Sequence, residues 1–161
     1  MRVLASLCAQ RRAKLYHWGV RALGIDVGNR RVGIAISDPS RTLARPLTTL
    51  RVSGSSDAIE QLVVLVARLR AEDDGLDTIV VGMPSRLDGT PTDATPAVRA
   101  LVDALKQRTL LTIVTEGERL TSHEANERLA VTERDWRRRK PLLDAAAAAI
   151  ILQDYLDNSR G

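Results

Sequence analysis

Phenylalanine is absent, and two tryptophans and two tyrosines are the only aromatic residues among 161. So few flat rings argue against a stacking platform for single-stranded nucleic acid, which lays successive bases on aromatic side chains. The single cysteine, Cys8, excludes an internal disulfide framework and fits a reducing compartment. No apolar run approaches the roughly 18 residues that span a bilayer. A soluble, cytoplasmic chain with no membrane partner is therefore expected. There is no internal repeat, and no low-complexity tract beyond Ala145 to Ala149. The length favours one domain with one sizeable core.

Acids are missing from residues 1–20, which carry Arg2, Arg11, Arg12 and Lys14. Those four account for the whole net charge of +4, so the high pI says little about what the rest of the chain binds. Local clustering matters more, and the densest cluster is Arg134-Asp135-Trp136-Arg137-Arg138-Arg139-Lys140. Val3 to Ala9 is mildly apolar, but two arginines follow it and no clear small-residue cleavage site does, which argues against a secretory signal. Residues 1–20 read either as a basic, disordered arm or as a start-site extension. The second is favoured, because Val20-Arg21-Ala22-Leu23 runs straight into the first strand. The folded unit is then 21–158, with 159–161 as a tail.

Ala22 to Val27 is a short apolar run ending at Gly28, as in a buried strand. Gly28-Asn29-Arg30 is turn chemistry. In Arg31 to Ser37, Val32, Ile34 and Ile36 alternate with Gly33, Ala35 and Ser37, giving a second strand hairpinned onto the first. Leu43 to Val52 reads as a third strand, with Pro46 marking an edge or an irregular start. Asp57 and Glu60 resemble a capping box opening a helix to Leu69, with Ile59, Leu62, Val63, Val66 and Leu69 as its apolar stripe. Asp77 to Gly82 is a central strand. Met83 to Pro96, with three prolines, is a loop long enough to suspect function. Pro96 suits the first turn of a helix to about Gln107, and Leu110 to Thr115 is the last strand. Thr121-Ser122-His123-Glu124 caps a short helix. After the basic loop, Pro141 opens a final helix over Leu142 to Leu156. The expected fold is α/β: a five-stranded mixed sheet, its first three strands antiparallel, with helices on both faces.

Asp26 sits inside an apolar strand, where an ionised carboxylate is costly unless paired or holding a metal. A core aspartate satisfied by backbone donors is the plain alternative. Glu116 and Glu118 follow the last strand at alternate positions. Asp144 opens the last helix, where the helix dipole alone would favour an acid. The alanines after it let the helix approach a sheet closely, and Asp144, Ala148 and Ile151 share one helical face. If that face packs on the first strand, acids from distant parts of the chain converge. Oxygen ligands of this kind suit Mg2+ or Mn2+, which keep waters for substrate phosphates. Two such ions activate water and stabilise the leaving oxygen of a phosphodiester. Arg30, Arg31, Arg119, Arg137, Arg138, Arg139 and Lys140 lie beside these acids in sequence and read as phosphate contacts, or else as solvated surface charge. Trp136 is open between stacking a base and anchoring its loop. His123 reads as a surface residue. Asp88-Gly89-Thr90 is explained as well by a tight turn as by substrate contact.

Four blocks carry a specific resemblance: Leu-Gly-Ile-Asp-Val-Gly-Asn-Arg-Arg-Val-Gly-Ile-Ala-Ile-Ser-Asp (23–38), Val-Val-Gly-Met-Pro-Ser-Arg-Leu-Asp-Gly-Thr (80–90), Glu-Arg-Leu-Thr-Ser-His-Glu-Ala (118–125) and Leu-Asp-Ala-Ala-Ala-Ala-Ala-Ile-Ile-Leu-Gln-Asp-Tyr-Leu (143–156). In order and spacing they resemble the YqgF/RuvX family of bacterial ribonuclease H-like proteins. Its members are described as Holliday junction resolvases and as nucleases maturing the 5′ end of pre-16S ribosomal RNA. The resemblance implies a ribonuclease H-like fold, a metal-dependent nuclease, and Asp26, Glu118 and Asp144 as catalytic, metal-binding residues. It implies structured RNA, or branched DNA, as partner, and a monomer or homodimer. One position departs: the family usually has aspartate where this chain has Gly117, with Glu116 one step earlier. Two other classes compete. An actin-like or sugar-kinase-like ATPase shares the Asp-Val-Gly hairpin, but needs two such domains and leaves Asp144 unexplained. A non-catalytic nucleic-acid or ribosome-assembly factor would keep the fold alone. If residues 1–20 are an extension, mass spectrometry of the native N-terminus shows a start near Val20 and not at Met1.

Overall fold

The computed structural model of the chain describes residues 19–86, 88–118 and 136–161, with the backbone alone at 118 and 136–140. Five strands form one mixed sheet: β1 (Arg21–Val27), β2 (Arg31–Ser37), β3 (Ala44–Arg51), β4 (Leu76–Pro84) and β5 (Thr112–Glu118), in the order β3-β2-β1-β4-β5. The first three pair antiparallel, and β4 and β5 run parallel to β1. Helices α1 (Ser55–Ala71) and α2 (Thr95–Arg108) provide the crossovers, and α3 (Trp136–Asn158) covers the other face.

The two faces differ in bulk. Leu23, Ile25, Val32, Ile34, Ile36, Ile79 and Val81 point to the α1/α2 side, where they meet Leu62, Leu65, Val66 and Leu69 of α1 and Val98, Leu101 and Leu105 of α2. Each such side chain, once buried, contributes about 1.5–3 kcal/mol. The α3 side carries Ala22 and Ala35 with Val80, packed on Ala148, Ile151, Leu152 and Leu156. Its glycines hold α3 close. A Cβ on Gly33 would lie 1.9 Å from the Asp144 carbonyl oxygen. One on Gly24 would lie 2.7 Å from the Ala148 carbonyl oxygen and 2.8 Å from Leu152 Cβ. One on Gly82 would lie 2.5 Å from Ile151 Cδ1. Small residues on both partners set this spacing, and the alanine run is the helix's share of it.

Pro46 stands on the terminal strand of the sheet. Its partner is Ala35, while Ile34 pairs with Thr48, so Leu47 is left over as an irregularity beside a residue that has no N–H to donate. Arg21 is 8 % exposed. Its guanidinium donates to the Gly75 carbonyl (3.0 Å) and to the Leu69 carbonyl at the end of α1 (3.1 Å), and pairs with Glu72 (2.9 Å). That stitches β1 to the turn before β4.

Several boundaries differ from the sequence reading. Helix α1 starts at Ser55 with Gly54 as N-cap, two residues before the expected capping box. Asp57 instead reaches back, accepting from Ser53 N (2.8 Å) and from Gln61 Nε2 (3.0 Å), and these bonds hold its carboxyl below the usual range. Glu60 pairs with Arg108 of α2 (2.8 Å). The last strand runs on to Glu118, because parallel pairing with β4 continues as far as Pro84–Glu118. The loop after β4 is closed by Thr95, whose hydroxyl donates to the Pro84 carbonyl (2.9 Å) and accepts from Thr92 N (2.9 Å). Finally, Pro141 lies inside α3 and does not open it. Proline deletes one hydrogen bond, to the carbonyl four residues back. The helix extends N-terminally over residues 136–140, where a loop was expected. The Thr121–Glu124 capping box lies outside the described residues.

Asp38 closes the β2–β3 turn. Partial burial raises its pKa, but hydrogen bonds from Leu43 N (2.8 Å), Ser40 Oγ, Thr42 N (2.7 Å) and Ser40 N (3.2 Å) outweigh that and bring it to about 2.

Gly33→Ala drives a methyl into the α3 backbone and is expected to cost about 3 kcal/mol or more, read as a lower melting temperature. The Asp38 carboxyl is more acidic folded than unfolded, where about 3.9 is usual. Its contribution is therefore complete above about pH 4 and lost as pH falls toward about 2. Urea unfolding should show Asp38→Ala less stable than wild type at pH 7, with the gap narrowing as pH falls from about 4 toward about 2.

Candidate active site

Asp26 is the penultimate residue of β1 and pairs with Gly33 of β2. Residues directly opposite in an antiparallel pair share a face, with Cβ positions about 5 Å apart. Asp26 therefore stands on the α3 side, in company with Gly24, Gly33 and Ala35. Because Gly33 has no side chain, the Asp144 backbone rests on it. Asp26 is thus beside the glycine on which Asp144 sits, and both residues keep partial exposure. The two acids, 118 positions apart in sequence, meet through one glycine.

Thr49 is the partner of Gly33 on the next strand, and its hydroxyl donates to the Pro141 carbonyl (2.5 Å). That bond fixes the turn of α3 that carries Asp144. Arg31, two residues before Gly33, is on the same face, and its Nε donates to Asp144 Oδ2 (2.7 Å). Both side chains are about one quarter exposed, at 24 % and 28 %. The pair sits at the rim where solvent meets the sheet end.

Glu116 pairs with Gly82, and the parallel register carried one residue past Ile25–Val81 sets Gly82 beside Asp26. Glu116 is thus in the same transverse row, two strands from Asp26, or about 10 Å. Asn158 Nδ2 makes a long contact of 3.5 Å to it. Backbone position 118 is in register with Pro84, two residues nearer the sheet end. Gly117, paired with Met83, alternates to the α1/α2 side, and a Cβ there would meet nothing within 4 Å. The departure from the family pattern therefore leaves the Asp26 side of the sheet unaltered.

The structure brings Asp26, Asp144 and Arg31 together and sets Glu116 in their row. Arg30 is exposed beyond the hairpin turn, its carbonyl accepting from Val52 N (3.0 Å). Residues 137–140 form the helical turn that leads to Asp144. Arg119 lies outside the described residues. Asp88-Gly89-Thr90 is a tight turn: Gly89 has φ 82°, and Asp88 accepts from Thr90 N (2.9 Å) and Oγ1 (2.6 Å). Two features escaped the sequence reading: Gly33 as the seat of Asp144, and Arg31 as its ion partner. The small side of β2, Gly33-Ala35-Ser37, was the available signal for the first.

Among the described residues no group of three or more His, Cys, Asp or Glu stands within metal-binding reach. Asp26 and Asp144 nevertheless fit a magnesium-type ion. Such an ion takes one or two carboxylates and completes its shell with water and substrate phosphate oxygens, and the pair opens toward solvent at the sheet end.

The RuvX family model, described as Holliday junction resolvase, matches residues 20–158. A protein of Roseiflexus sp. (strain RS-1), named "Putative pre-16S rRNA nuclease", is 36% identical over 140 residues, covering 87% of this chain and 96% of the relative. One of the same name from Chloroflexus aggregans is 39% identical over 138 residues, covering 86% and 94%. Among solved structures, T. thermophilus RuvC in complex with a Holliday junction substrate superposes with a TM-score of 0.50 at 15% identity, covering 88% of this chain and 96% of that one. That likeness shows the fold, which is ribonuclease H-like as the sequence blocks implied. A match that starts one residue before β1, ends with α3 and spans every strand of the sheet makes this chain a member of the RuvX family.

Proposed function

We propose that this chain is a divalent-metal-dependent nuclease that hydrolyses phosphodiester bonds in structured RNA, with the 5′ end of pre-16S ribosomal RNA as its substrate. The convergence of Asp26 and Asp144 over Gly33 carries the reading. The names of the relatives supply the substrate. Asp26, Asp144 and Glu118 would hold Mg2+ or Mn2+, two ions in the full arrangement. When bound, the metal supplies Lewis acidity toward a phosphoryl oxygen and the attacking water.

The protein's own residues do the rest. Asp26 and Asp144 would present carboxylates from neighbouring backbone positions, because a strand pair fixes the first and a helix seated on glycine fixes the second. Arg31 and Arg30 flank the strand end, and residues 137–140 and Arg119 adjoin the acids in sequence. As phosphate contacts they would place the backbone of the nucleic acid and make binding fall with salt. The working unit is 21–158.

A second reading is favoured by the family model's description: resolution of four-way DNA junctions. It calls for a symmetric dimer to cut two strands, whereas RNA trimming does not.

Side-by-side cleavage of a pre-16S fragment and a four-way DNA junction, in Mg2+ and in Mn2+, decides between them, and the RNA fragment is expected to be cut. Asp26→Asn should lower the rate on the order of a hundredfold or more while RNA binding persists. Equal cleavage by Asp26→Asn and wild type would remove the metal-site reading.

A further inference from the structure

Arg31 and Asp144 present a conflict that the nuclease reading leaves unresolved. Asp144 is needed as a cation ligand, yet Oδ2 already accepts a 2.7 Å charge-assisted bond from Arg31 Nε. The two residues are 113 positions apart, and both stand at a rim where water and ions reach them. We infer that Arg31 is an exchangeable stand-in for the metal: it neutralises Asp144 while the site is empty, gives the carboxylate up when a divalent cation enters, and then turns its freed guanidinium to a phosphate oxygen of the substrate. The inference rests on the nuclease reading and adds a coupling to it.

The geometry supports the exchange in three ways. First, Arg31 opens β2 immediately after the Gly28–Arg30 turn, and the main-chain bond from Gly28 N to its carbonyl (2.9 Å) fixes the backbone, so that an exchange of partners involves the side chain alone. Second, the Asp144 main chain cannot follow it. The helix is seated on Gly33 and tied by Thr49 to Pro141, so the carboxylate remains in place when its partner leaves. Third, the pair is partly exposed, so breaking it does not strand a charge in the interior. Displacement requires the divalent ion to bind the carboxylate more strongly than one guanidinium does, as its higher charge favours. The carboxylate exchanges a monovalent cation for a divalent one, which leaves the site more positive, and the freed guanidinium and the ion together then meet the negative charge of the phosphate. Metal entry and substrate capture are thereby linked through one side chain, and each favours the other.

The test is titration calorimetry of MnCl2 into the full chain without nucleic acid. Arg31→Gln removes the competitor and should bind Mn2+ about fivefold more tightly or better, whereas Arg31→Lys, which keeps a cation there, stays nearer wild type. Arg31→Gln should also weaken binding of a pre-16S fragment in Ca2+. If Arg31 merely braced Asp144, Arg31→Gln would bind Mn2+ more weakly, and equal or weaker binding overturns the exchange. Wild-type protein gives a check that needs no variant. The Arg31 Nε–H resonance should shift in step with Mg2+ binding, and a resonance unchanged at saturating Mg2+ also overturns it. Asp144→Asn separates the two levels. If it leaves Mn2+ affinity unaltered, the metal reading falls and takes the exchange with it. If it abolishes binding while Arg31→Gln fails to tighten it, the exchange alone falls.

Discussion

The fold turns on how closely one helix can lie against the sheet. On the α3 side the strands offer hydrogen atoms and methyls where the other side offers isoleucine and leucine. Close packing of this kind tolerates no added carbon at Gly33 or Gly24, because the atoms in the way are backbone or the base of a side chain. Everything at the sheet end inherits its position from that contact. Asp144 stands where it does because its own carbonyl fills the space a side chain would have taken.

Stability and chemistry therefore share the same atoms. In many proteins the groups that pack and the groups that react are on different layers. Here the glycine opposite Asp26 is also the seat of Asp144, so the spacing of the acids is a property of the core and not of a loop. Thr49 and Pro141 add a peg from the edge strand. Arg31 then balances the charge that this placement concentrates.

Much of this was legible from the residues. Alternation in β2, the apolar stripe of α1 and the proline on β3 follow rules of period and backbone chemistry, and each appears within a residue or two of its expected place, although the capping box expected at Asp57 does not form. The alanine run announced a helix that packs closely, and with it the approach of Asp144 to β1. What the sequence hid depends on register. No local pattern shows that residue 31 reaches residue 144, or that Gly117 turns away from Asp26, until strand pairing is known. Proline misled in one place. Its preference for a first turn is strong, but the loss of a single bond did not stop α3 from starting at Trp136.

Strand β3 ends the sheet, and its outer side is where another chain would add. That side is poorly made for growth. Pro46 offers no N–H, the irregularity at Leu47 breaks the spacing of the ladder, and the first amide, at Ala44, is already held by Gln153 of α3 (2.9 Å). These features disfavour continuation of the sheet in register along this border. The same proline that reads as a local nuisance in the sequence makes this border a poor template for the strand of another chain.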